Sequence, residues 1–144
     1  MEPDPQELPA LIAGGRRSFH FADIERFRAV RARDAVMHYG ECARSRCADA
    51  YAAASTFMRS SVERERRDSQ SFMQVLQRSQ RDLTAARCLR DLMITAIDAD
   101  RRDERAVIYR ELLADVDEAI GHVEALQQEM LAWAAGAYPG MSEH

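Results

Sequence analysis

From Arg16 to Ala135 the chain contains no proline and only two glycines, Gly40 and Gly121. These are the residue types that most often interrupt helices, because proline lacks the N–H donor and glycine loses the most backbone entropy. A segment this long and almost free of both must be largely helical. The rest of the composition agrees. Ala, Arg, Glu, Leu and Gln dominate, while β-branched residues are sparse and never alternate with period two. The expected fold class is all-α: a helical hairpin or bundle of about three long helices with coiled-coil-like packing.

Three of the four prolines fall in the first nine residues and the fourth is Pro139. Residues 1–17 therefore read as a flexible N-terminal arm, with Leu8 to Ile12 its one apolar patch. Residues 18–136 read as a single helical domain and 137–144 as a C-terminal tail.

Within the domain, Asp23 is a candidate cap for a first helix, with Phe19 and Phe21 folding against its first turn. Ile24, Phe27, Val30, Met37, Cys47, Tyr51, Ala54 and Met58 sketch its apolar stripe. Residues 59–71 hold almost no large apolar side chain, and Ser60 followed by Glu63 has capping-box spacing. A break or bend is expected there, since one helix over 22–98 would be roughly 115 Å long. A second helix follows through Phe72, Leu76, Leu83, Ala86, Leu89, Met93 and Ile97, its apolar face widened by Val75, Leu92 and Ile94. The stretch DADRRDER at 98–105 reads as a tight charged turn, with Asp98 or Asp100 capping the last helix and Asp103 and Glu104 in its first turn. That last helix should end near Ala135–Gly136, glycine being a common C-cap.

The last helix carries the most regular pattern in the chain. Tyr109, Leu112, Val116, Ala119, Val123, Leu126, Met130 and Trp133 recur at steps of three and four. This seam, broadened by Ile108, Leu113 and Ile120, requires at least two neighbouring helices to shield it. An antiparallel hairpin of the second and third helices is the economical arrangement, with Trp133 near Phe72 and Tyr109 near Met93.

Charge is unevenly distributed. Residues 1–15 carry three acids and no base; residues 16–67 hold twelve Arg against seven acids; residues 68–144 hold eight Arg against fourteen acids. The net charge is −4. A basic first half and an acidic second half are expected to attract each other, within one chain or between chains.

Three kinds of chemistry compete with ordinary helix packing as readings of the remaining residues. His38 and Cys42 share a helix face at a spacing that suits zinc, but Cys47 points elsewhere, and completion would require Cys88 or His122. No Glu-x-x-His pair of the di-iron kind occurs. No nucleophile elbow, glycine-rich phosphate loop or paired-carboxylate motif occurs either, so neither catalysis, nor a cofactor, nor a metal is expected. The arginines Arg26, Arg28, Arg31 and Arg33 form a possible basic face toward a partner, nucleic acid included, although Asp23, Glu25, Asp34 and Glu41 are interleaved. Three cysteines at no framework spacing suggest reduced thiols and a cytoplasmic setting. No run approaches the ~20 apolar residues of a membrane span.

The resulting expectation is a non-enzymatic helical interaction module: an adaptor, an assembly chaperone or a structural subunit. It would take protein partners, a homo-oligomer included, and self-associate through the apolar seam. The alternatives are a nucleic-acid-binding protein using the Arg-rich first helix, and a small all-α enzyme or metalloprotein around His38, Cys42 and His122.

Overall fold

The computed structural model describes the backbone of residues 21–63, 69–100 and 102–138, and the side chains of 30–60, 69–100 and 102–138. The arm at 1–17, the tail beyond residue 138 and the side chains of Arg26 and Arg28 lie outside the described residues. Among the described residues there are three helices, α1 (Phe21–Glu63), α2 (Ser69–Ala99) and α3 (Ala106–Ala137), with a 3₁₀ turn at Asp103–Arg105 before α3. Among the described residues there is no strand. The chain is all-α, as its composition dictates.

Ser60 does not start a helix, because α1 runs on to Glu63 and the next helix begins at Ser69. Asp23 likewise lies inside α1 rather than ahead of it. The three helices alternate in direction, which leaves α1 and α3 parallel. At one end Val36, Met93, Ala96 and Tyr109 pack together; at the other Ala54, Phe57, Phe72, Met130 and Ala134 do so.

Each helix turns a heptad face inward. On α1 it is Val36, Gly40, Ala43, Cys47, Ala50, Ala54 and Phe57, all buried. The sequence stripe through Met37 and Tyr51 is out of phase with this face. Those two side chains are 47% and 45% exposed. Apart from Val36 and Phe57, the inward positions of α1 are small. Small inward residues let two helix axes approach closely, and α1 with α2 is the most extensively packed pair, more so than the expected α2–α3 hairpin. Met93 uses the space over Gly40, where a Cβ would stand 3.2 Å from its Cε.

On α2 the buried face is Phe72, Leu76, Ser79, Leu83, Ala86, Met93 and Ala96, with Leu89 and Ile97 half-buried and Leu92 exposed. On α3 it is Tyr109, Val116, Ile120, Val123, Leu126, Gln127, Met130 and Ala134. Ile108, expected to widen that face, is 53% exposed.

Two apolar clusters fill the interior, and between them lies a polar layer. Ser79 is fully buried; its hydroxyl donates to the Ala50 carbonyl at 3.0 Å and accepts from Gln127 Nε2 at 2.9 Å. One residue from each helix takes part. Sliding any helix by a turn would strand these groups in an apolar layer, so the relay holds the three in register. Ion pairs reinforce two of the outer edges: Arg46 with Asp82 at 3.3 Å between α1 and α2, and Arg87 with Glu124 and Arg90 with Asp117 between α2 and α3. Only the first of these joins the basic first half to the acidic second half. Each is exposed on at least one side and contributes modestly.

The α2–α3 turn is built on Asp100. Its side chain is 1% exposed. Its carboxylate accepts from the Arg102 backbone N–H at 3.3 Å, the Arg105 guanidinium at 3.3 Å and the Tyr109 hydroxyl at 2.6 Å. Asp100 is therefore not the N-cap of α3, whose cap position is Arg105. Through Tyr109 it ties the connection to the first turn of the helix instead. At the far end α3 passes through Gly136 to Ala137, and the Tyr138 N–H closes it on the Ala134 carbonyl at 2.7 Å. Gly136 is thus not the stop signal.

Gly121 sits in the middle of α3, and a Cβ there meets nothing within 4 Å. Gly121→Ala is expected to stabilise the fold by about 0.5–1 kcal/mol through the lower entropy of the unfolded chain. Thermal melts should show it as a rise of a few degrees; an unchanged or lower melting temperature would mean this face of α3 is covered.

Candidate interaction surface

The eight seam positions lie inside the bundle. Tyr109, Val116, Val123, Leu126 and Met130 are buried, and Leu112, Ala119 and Trp133 are half-buried. Their cover is α1 and α2 of the same chain. Trp133 stands 6.1 Å from Phe72 between ring centroids, as hairpin geometry predicts. Phe57 and Tyr138 join them, at 5.6 and 5.3 Å from Trp133. This aromatic cluster closes one end of the bundle. The sequence stripe of α1 runs through Met58, whereas the residue before it, Phe57, is the buried one.

With the seam occupied, the exposed concave surfaces lie along the helix pairs. Between α1 and α3 runs a groove of about 360 Å³ lined mainly by Arg44, Cys47, Ala48, Tyr51, Ala119 and His122. An adjoining depression of about 350 Å³ continues it past Tyr51 and His122 to Leu126 and Glu129. Alanines on both walls make it shallow, and Tyr51 stands exposed on its rim. Burial pushes the Cys47 thiol up from its ordinary value, so at neutral pH this floor residue is a neutral apolar group. Another groove, lined by Arg31, Ala32, Ala35, Tyr39, Leu92, Thr95, Ala96 and Ala99, lies between α1 and α2.

The candidate basic face is not a continuous array of free cations. Arg31 is half-buried beside Ala32 and Ala35, and its Nε is enclosed without a hydrogen-bond partner. Arg33 is exposed but forks onto Asp34, with its Nε and Nη2 at 3.3 and 3.2 Å from one carboxylate oxygen.

His38 and Cys42 are neighbours one turn apart, with the thiol 3.7 Å from Nε2. His122 lies instead in the α1/α3 groove with Cys47, and Cys88 is exposed on α2. Among the described residues no group of three or more His, Cys, Asp or Glu side chains could hold a metal ion. No described helix is long and apolar enough to cross a membrane.

The architecture defines a three-helix bundle with a polar central layer and an open groove between its parallel helices. Comparison with protein-family models, with curated proteins and with solved structures returns no match.

Proposed function

We propose that this chain is a non-enzymatic helical protein–protein interaction module: an adaptor, an assembly chaperone or a structural subunit of a larger complex. The observation that carries this reading is the open α1/α3 groove, apolar on its floor and rimmed by the exposed Tyr51. Tyrosine on a desolvatable surface is what protein interfaces enrich. The surface offered to partners is then this groove and not the seam first read from α3, which the chain covers itself. A cytoplasmic setting rests on the three free cysteines Cys42, Cys47 and Cys88.

The test is affinity capture from the native source with identification and stoichiometry of what binds. Wild type should hold a defined protein, a second copy included, and Tyr51→Asp should reduce that capture about tenfold or more while leaving helicity intact, since Tyr51 is 45% exposed. Capture that is insensitive to Tyr51→Asp would take the function away from this groove. Retention on heparin that weakens steeply with salt would favour the nucleic-acid reading instead.

A further inference from the structure

The groove between α1 and α2 encloses about 390 Å³, and half of its lining is alanine. Leu92 stands on one wall, 46% exposed, and Thr95 spends its hydroxyl on the Asp91 carbonyl at 3.2 Å. Arg31 is the one charged residue of the lining. Its Nε is enclosed without a hydrogen-bond partner, and among the described residues no acid pairs with its guanidinium. Leaving an enclosed donor in this state costs stability that an acceptor at the guanidinium recovers in part. The exposed acids of this stretch of α2, Asp91 and Asp98, do not line the groove. An occupant that suits it brings aliphatic side chains and a carboxylate beside them.

The position of the groove selects the segment that carries both. Arg31 and Ala99, the last residue of α2, line it together. The stretch of α1 from Phe21 to Val30 therefore runs on past the end of α2, and residues 1–20 join the molecule at this end. Residues 64–68 and 139–144 leave from the opposite end, beside Phe57, Phe72 and Trp133. Arg31 and Phe57 stand about 39 Å apart along α1, whereas six extended residues span at most about 22 Å, so the segment after Tyr138 falls short. Ile12 has a reach of about 30 Å from Phe21, while the groove extends from about 15 to 27 Å along α1 from that residue. Gly14 and Gly15 lie between, where a reversal of the chain needs backbone freedom. Leu8, Leu11 and Ile12 are the only large aliphatic residues between positions 2 and 18, and Glu7 directly precedes them. Glu2 and Asp4 lie upstream, with no base before Arg16.

We propose that Leu8, Leu11 and Ile12 fold back into the α1/α2 groove and cover Leu92, with the Glu7 carboxylate against the Arg31 guanidinium. The segment is then a strap that fills one groove of the bundle from within the chain. The α1/α3 groove, on the other side of α1, stays open to partners, and neither reading depends on the other.

Methyl-labelled full-length protein tests this by nuclear magnetic resonance. Nuclear Overhauser contacts should join the Leu11 and Ile12 methyls to those of Leu92 and Ala96. A soluble paramagnetic agent should broaden Leu92 less than Leu131, a leucine of similar exposure at 41% on α3. The double variant Leu11→Asp/Ile12→Asp lies ahead of α1 and should keep wild-type helicity. In it the contacts should vanish and Leu92 should broaden as much as Leu131. Glu7→Arg should lower the docked population about threefold, the scale of one partly exposed ion pair. Absence of the contacts in wild type overturns the proposal. So does a Leu92 signal indifferent to the double variant, or contacts that keep full strength in Glu7→Arg. Contacts that form only between labelled and unlabelled chains overturn it too, and give the groove to a second copy.

Discussion

Val123→Asp is expected to abolish cooperative folding. Val123 is 1% exposed and packs in the larger apolar cluster with Cys47, Ala50 and Ile120. An aspartate there would start almost fully buried on the floor of the groove, among Cys47, Ala50 and Ala119, which are apolar and offer its carboxylate no hydrogen bond. Burying an unpaired carboxylate costs several kcal/mol, even when the group takes up a proton instead of staying charged. That cost is comparable to the whole stability of a domain this size. Loss of helical circular dichroism, or a broad non-cooperative melt, is the expected readout. Val123→Ala should retain the fold and lose about 2 kcal/mol, from two missing methyl groups plus a small cavity. A Val123→Asp protein that melts like wild type would mean this stripe of α3 is not dry.

The same seam shows how far sequence periodicity reaches. Positions 109, 116, 123 and 130 are inward in both sequence and structure. The alternating positions are shared: Ile120 is more buried than Ala119, and Gln127 and Ala134 go inward beside Leu126 and Trp133. A face this broad cannot be assigned to one residue per turn by hydrophobicity, because a helix seated between two others buries both. On α1 the pattern holds in part: Cys47 and Ala54 go inward, while Met37 and Tyr51 lie on the surface. Most of the inward face there is small, and periodicity in large apolar residues therefore leads off it at those two positions. Tyr51 is the one of the two that lines the α1/α3 groove. The polar layer was illegible for a related reason. Ser79 and Gln127 are polar by type, and only their mutual placement across three helices shows that the interior takes them in. The charged turn was recognised, yet its geometry differs, since Asp100 gathers three donors where a simple cap would serve one.

That gathering predicts the second large effect. Asp100→Ala should destabilise the fold by about 2–4 kcal/mol. It deprives Tyr109, which is buried, of its hydroxyl's acceptor and removes the anion beside Arg105. The figure is held below that of a fully buried pair because the Arg105 side chain still reaches solvent, at 18% exposure. Tyr109→Phe removes one bond of the three and should cost about 1–2 kcal/mol. Because both changes delete the same hydroxyl–carboxylate bond, the double variant should lose less than the sum of the singles by about 1 kcal/mol. Alkali supplies a check that does not depend on packing. Burial first, and then donation to Asp100, raise the Tyr109 hydroxyl above its ordinary value of 10.0. The folded state therefore favours the protonated phenol more than the unfolded chain does. Its contribution is complete below about pH 10 and is lost as pH climbs through the raised native value. Wild type should accordingly lose stability faster than Tyr109→Phe above pH 10, and the gap between them should close. Parallel stability profiles of the two proteins through this range would show that the phenol is not what ties the turn to α3.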